Sequence, residues 1–313
     1  MMTPGLSRQD FPIHGIVEQL SIFTVTGAAP GPVLCVTGAI HGDELEGPVV
    51  LSGLLAEIDP AQLRGTLIIV PVSNAEAVTA CRRTSPSDGK NMARVFPGRS
   101  DGTPTEIVAS LITEHAILKA DALVDLHSAG TSSNSPILTG YGDATAALAA
   151  RSRALAEAFG APVIWRHEGP IAPGRTISVA EANDIPSIYT EAGGGPVPFP
   201  EVLEAYRLGV LRVMKHLGMY DYPGLTAGEP ALHVVGIGDT DIIGPSPATG
   251  ICTAFITPGQ QVKQGELCFT IAGLDGKVHS EVHADLDGYA MFVRRGRWVN
   301  KGEHLFNLAT RDE

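Results

Sequence analysis

Six apolar runs alternate with helical stretches over the first two thirds of this chain, and that alternation restricts it to a sheet covered by helices. The runs are PVLCVTGAI (32–40), TLIIVPV (66–72), ALVDLHS (122–128), PILTGY (136–141), PVIWR (162–166) and PSIYTEAG (186–193). Each suits a buried strand in length and content. Directly after the first run comes EGPVVLSGLLAEID. TPTEIVASLITEHAILKA then has Thr103 and Glu106 at capping-box spacing with Pro104 in the first turn, and DATAALAARSRALAEAFG ends on a glycine stop. PEVLEAYRLGVLRVMKHLG closes the region as a last helix.

After Tyr222-Pro223-Gly224 the texture changes to short β-like segments broken by Gly, Pro and Asp. With 313 residues the chain has room for two cores, so the expected division is an α/β domain over 1–224 and a β domain over 225–313. Within the latter, VKQGELCFTI (262–271) and VNKGEHLFNL (299–308) match in order and spacing, each preceded by a glycine, Gly250 or Gly288. Two similar halves of one small β domain are the natural reading. The arrangement resembles the lipoyl/biotinyl-type barrel, in which a modified lysine sits between the halves. Lys277 lies near that place but follows Gly276 instead of an acidic residue, so a plain exposed lysine is expected.

The charge balance of 22 basic against 34 acidic residues, formally −12, opposes contact with phosphate backbones or anionic lipid. Nucleic acid and membrane are therefore not expected partners. No run reaches the ~20 apolar residues of a membrane span, and MMTPGLSRQDFPIHG does not read as an export signal. The four cysteines form no CxxC pair, and a cytoplasmic location fits reduced thiols packed as small hydrophobes.

The chemistry begins at GAIHGDELEG (38–47), where one His and three carboxylates close an apolar run. On one reading Asp43, Glu44 and Glu46 are acids favoured at a helix N-terminus by its dipole, and His127 is a packed core residue. On the other, a turn tightened by Gly42 aims His41 and Glu44 at one point, and His127, at the end of VDLHS, supplies a third ligand. Catalytic zinc commonly takes two His and one Glu and keeps a position for water. Asp125 shares the strand face of His127.

HGDELEG, VDLHS and YTEAGGG, in this order, resemble the succinylglutamate desuccinylase/aspartoacylase family, a branch of the zinc carboxypeptidase-like hydrolases. The likeness spans about residues 30 to 222. It implies an α/β fold with a mixed sheet flanked by helices, one Zn2+ per chain on His41, Glu44 and His127, and Glu191 as general base and acid. Independently, Glu191 ends a strand beside the glycine-rich AGGGPVPFP, a position from which a carboxylate can take and return a proton; a Glu capping a loop would read the same way.

Between the first two motifs, CRRTSPSDGKNMARVFPG (81–98) resembles the family's substrate loop. By position Arg83 would polarise the scissile carbonyl and Arg94 would bind a substrate carboxylate, tasks that suit a permanently charged guanidinium. Asn91-Met92-Ala93-Arg94 stands where the family usually has Asp-Leu-Asn-Arg, so Asn91 offers at most a displaced substrate amide. Arg175, in GRTIS, is a further candidate for an acidic group, and Tyr141 and His167 could reach the pocket.

The resulting expectation is a zinc-dependent amidohydrolase that deacylates a small N-acyl amino acid. Its rivals are a carboxypeptidase acting on peptide tails, which would use the same residues in an open cleft, and a zinc-binding scaffold without catalysis. The acyl group, the amino acid and the oligomeric state, a homo-oligomer included, stay open.

Overall fold

The computed structural model describes residues 3–195, 197–229, 231–239 and 243–312. Its strands are β1 (Gly5–Pro12), β2 (Gln19–Thr26), β3 (Ala29–Gly38), β4 (Arg64–Val70), β5 (Ala122–Leu126), β6 (Ser133–Gly142), β7 (Val163–His167), β8 (Ser187–Gly193) and β9 (Leu232–Val235). The C-terminal part adds β10 (Gly250–Ala254), β11 (Gln261–Val262), β12 (Leu267–Ala272), β13 (Val278–His283), β14 (Gly288–Arg294), β15 (Trp298–Val299) and β16 (Phe306–Arg311). Helices α1 (Glu46–Glu57), α2 (Ala75–Thr79), α3 (Pro104–His115), α4 (Ala146–Phe159), α5 (Thr176–Ala182) and α6 (Pro200–His216) lie between the strands of the first part.

Among the described residues twelve strands form one mixed sheet, ordered β1-β2-β4-β3-β5-β8-β6-β7-β9-β16-β14-β11. All six apolar runs become strands of it, and the chain is of the mixed α/β class. The pleat divides each central strand between two cores. Leu34 and Val36 of β3, Leu67 and Ile69 of β4, and Val124 and Leu126 of β5 pack with α1, α4 and α6. Their alternates Cys35, Ile68 and Leu123 pack with α3 and α5 on the other face. Burial on both faces is why these strands read as continuous apolar segments.

Two strands precede the first expected one. β1 and β2 pair antiparallel as a hairpin whose second strand joins β4. β1 is an exposed edge carrying Ser7, Arg8, Gln9 and Asp10, so no apolar run announces it; charged residues on an edge strand also discourage further pairing.

In the C-terminal part, each of the matched sequence segments holds a short strand followed by a longer one, β11 then β12 and β15 then β16. Their pairings are reciprocal: β10, before the first segment, pairs with β15 of the second, and β14, before the second, pairs with β11 of the first. Phe269 and Phe306, from the two segments, stack at 5.8 Å within a core that includes Cys252, Val262 and Val299. Lys277 is exposed at the turn before β13. The unit is also stitched to the larger sheet, since β16 pairs with β9 and β14 pairs with β6. No helix among the described residues is long and apolar enough to cross a membrane.

Candidate active site

The site is set by register. β3, β5 and β8 are parallel neighbours, with Gly38 opposite Leu126 and Leu126 opposite Thr190. Their carboxyl ends therefore stop at one level, with His127 and Glu191 one residue beyond Leu126 and Thr190. His41 follows Gly38 by three residues. The crevice outside such strand ends is where open α/β sheets bind ligands.

The first turn depends on Gly42, whose amide donates to Arg82 O at 2.9 Å. A Cβ there would lie 2.0 Å from the backbone carbon of Ala77, so only glycine lets the turn press against α2. Asp43 points away from His41 and Glu44: its Oδ2 accepts from the Thr131 amide at 3.0 Å and hydroxyl at 3.1 Å, tying this turn to the loop after β5.

His41, Glu44 and His127 are all buried, and one donor atom from each lies within 4.8 Å of the others. The Glu44 carboxylate sits between the rings, Oε1 2.8 Å from His41 Nδ1 and Oε2 2.9 Å from His127 Nδ1. The outer nitrogens face acceptors: His41 Nε2 is 3.0 Å from Asn91 Oδ1, and His127 Nε2 is 3.0 Å from Asp125 Oδ2. A proton on each Nε2 satisfies those acceptors and turns both Nδ1 lone pairs inward, with the orienting partners that metal-bound histidines usually have. Asp125 is itself held by the hydroxyls of Thr37, at 2.7 Å, and Thr176. This donor set fits a zinc ion.

The charges follow the same geometry. Burial alone would raise Glu44, but the two imidazoles outweigh it and hold the carboxyl well below its usual range. Burial would lower His127, yet Asp125 and Glu44 raise it well above the ordinary value, whereas burial and the Arg83 cation lower His41. Glu191 is pushed well upward by burial and then by the neighbouring Glu44 charge. Its Oε2 is buried without a hydrogen-bond partner among the described residues.

A cavity of about 190 Å³ opens on this cluster and is lined by Arg83, Arg94, Arg175 and Glu191 as well as both histidines. Arg83 Nη1 reaches Glu44 Oε1 at 3.0 Å. Arg94 and Arg175 both approach Asp239, at 3.6 and 3.1 Å. Asn91 is elsewhere, because its oxygen faces His41 and also accepts the Ala93 amide at 2.9 Å; Ala93 itself lines the cavity. Tyr141 packs in the core, and His167 stands behind Tyr189, 2.8 Å from its hydroxyl.

Several lining residues were given no role by the sequence. Tyr189 opens the YTEAGGG motif and sits two before Glu191, on the same face of β8, which is a signal the sequence did contain. Phe292, Arg294 and His304 line the cavity from the C-terminal part, the first two brought there by the pairing of β14 with β6 that no local pattern reveals.

The succinylglutamate desuccinylase/aspartoacylase catalytic domain matches residues 30–217 of this sequence. The chain belongs to that family. Its relatives include the N-alpha-acetyl-L-2,4-diaminobutyric acid deacetylase of Halomonas elongata, 31% identical over 289 residues covering 91% of this chain and 84% of that protein. A succinylglutamate desuccinylase/aspartoacylase from Rhodobacter sphaeroides superposes with a TM-score of 0.86 at 28% identity, over 98% of this chain and 96% of that one. The product-bound ectoine utilization protein of Ruegeria pomeroyi does so with 0.87 at 26% identity, again over 98% and 96%. Both family structures match along nearly the full chain, so the C-terminal strands are shared with them as well as the catalytic domain.

Proposed function

We propose that this protein is a zinc-dependent deacylase that hydrolyses the amide bond of a small N-acyl amino acid. The observation that carries the reading is the buried His41–Glu44–His127 donor set facing the same cavity as the unpartnered oxygen of Glu191. The deacetylase activity of the Halomonas relative supports it and makes N-acetyl-L-2,4-diaminobutyrate a first candidate substrate.

Zinc bound by His41, Glu44 and His127 would supply Lewis acidity, acidifying water and polarising a carbonyl. Glu191, whose proton affinity is raised by burial, takes a proton from the attacking water at Oε2 and returns it to the leaving nitrogen as the C–N bond breaks. Arg83 donates to the carbonyl oxygen as negative charge builds on it. Arg94 and Arg175 hold the substrate carboxylate. Asn91 and Asp125 keep the two imidazoles oriented.

The lining of the cavity by Phe292, Arg294 and His304 from the C-terminal part supports small substrates over the peptide tails of a carboxypeptidase, and Glu191 speaks against a silent scaffold. We take residues 225–313 as a second domain built like a lipoyl-type barrel without a modified lysine, its use here being to complete the lining of the pocket.

The test is turnover of a panel of N-acyl amino acids by zinc-loaded protein and by Glu191→Gln. The parent should release free amino acid, and the variant should keep one zinc per chain while losing at least ~100-fold in turnover. Loss of zinc together with activity would make Glu191 a ligand, and an inactive parent across the panel would refute the deacylase reading.

A further inference from the structure

Arg83 touches two of the three residues proposed to hold zinc. Its Nη1 lies 3.0 Å from Glu44 Oε1 and 3.2 Å from His41 Nδ1, atoms that are themselves 2.8 Å apart. The other carboxylate oxygen, Oε2, is turned to His127 Nδ1 at 2.9 Å, so the guanidinium takes the His41 side of the cluster.

The tautomer of His41 gives this contact its meaning. Asn91 Oδ1 accepts the Ala93 amide at 2.9 Å, so the oxygen of Asn91 is what faces His41 Nε2 at 3.0 Å. Nε2 therefore carries the proton, and Nδ1 offers its one lone pair. That lone pair and a carboxylate oxygen 2.8 Å away repel each other unless a positive donor lies against both. Nη1 has two hydrogens, one for each acceptor.

Holding zinc engages the same two residues. An imidazole nitrogen cannot give one lone pair both to an N–H and to a metal, and two cations at one buried point repel strongly. Arg83 is the partner that can give way. Its side chain is 43% exposed, against 4% for His41 and 2% for Glu44, and it borders the cavity into which it would turn.

We infer that Arg83 competes with zinc for His41 Nδ1 and Glu44 Oε1, its guanidinium leaving those atoms for the cavity when the metal is held. Arg83 thereby weakens metal binding, and its availability to a substrate carbonyl depends on a loaded site. The inference rests on the zinc site of the deacylase reading, and its test reads metal affinity instead of turnover. Protein stripped of metal is titrated with zinc against a chromophoric chelator as the parent, Arg83→Ala and Arg83→Gln. Both variants should bind zinc at least ~10-fold more tightly, the scale of one charge-assisted contact no longer opposing the metal. Guanidinium chloride, well below denaturing concentration, should weaken zinc binding by Arg83→Ala more than sodium chloride at equal ionic strength does. In the parent the two salts should act alike. Phenylglyoxal labelling of the parent, located by peptide mass, gives a reading that needs no variant to fold: Arg83 should react faster once zinc is added. Variants that bind zinc no more tightly than the parent overturn the inference and leave the zinc site standing. So does labelling of Arg83 that zinc leaves unchanged or slows, and so does an Arg83→Ala protein on which the two salts act alike. If neither the parent nor a variant takes up zinc, the zinc reading itself fails and this inference with it.

Discussion

Asn91 shows how one atom can replace a family residue. It occupies the place of an acidic residue in the usual Asp-Leu-Asn-Arg motif, and its side-chain oxygen supplies the acceptor that His41 Nε2 needs, at 3.0 Å. The amide is uncharged, so it orients the ring without adding negative charge next to Glu44. Asn91→Ala should therefore weaken zinc binding by about 10- to 100-fold, the usual scale for losing an outer partner of a metal-bound histidine. Asn91→Asp should restore it. Competition with a chromophoric chelator measures both, and an Asn91→Ala affinity within ~2-fold of the parent would reduce Asn91 to a cap of the Met92–Arg94 turn. The meeting of His41, Glu44 and His127 was legible because HGDELEG and VDLHS place their chemistry at strand ends, where the fold brings it together. The role of Asn91 was not, since a polar residue in a turn has two directions to face and sequence does not choose between them.

At the scale of elements, β3, β5 and β8 could be read directly because burial on both faces leaves a continuous apolar run. β9 could not. It has four residues, and what fixes the segment after it is a contact from another strand, His167 of β7 donating to Gly236 O. That contact has a pH signature. Burial lowers His167 from 6.5 to about 4, so between those values the unfolded chain binds the proton more readily than the folded one. The contribution is fully present above about pH 6.5, is lost as pH falls toward 4, and amounts to at most ~3 kcal/mol. Urea midpoints measured from pH 7 to 4 should fall less steeply in His167→Gln than in the parent. Parallel slopes would mean that His167 accepts its proton in the fold without penalty.

At the scale of the molecule, the question is why a catalytic sheet should carry a second β unit at all. The internal repeat was visible in the sequence, but the use of the unit was not, because it rests on pairings between residues more than a hundred positions apart. Val293 and Arg294 of β14 sit opposite Asn134 and Ser133 of β6, and the next residue makes the decisive contacts. Arg295 donates its amide to Ser132 O at 3.0 Å, its Nε to Ser133 O at 2.9 Å and its Nη2 to Gly194 O. One side chain thus fastens the loop that follows His127 to the loop that follows Glu191, and the Gly195 amide adds a 2.7 Å bond to Gly130 O. Since the proton transfer proposed for Glu191 needs its place held more tightly than zinc binding by the buried His41–Glu44–His127 cluster would, Arg295→Ala should leave zinc stoichiometry unchanged while lowering kcat by ~10-fold or more, the scale of a small misplacement near the reacting atoms. The two lost charge-assisted bonds should also cost a few kcal/mol in stability, at about 1.5 to 3 kcal/mol each before water replaces either of them. Arg295→Lys, which can keep one of the bonds, should fall between. A variant that is destabilised yet turns over at the parental kcat would show that the C-terminal unit supports the fold and leaves Glu191 to position itself.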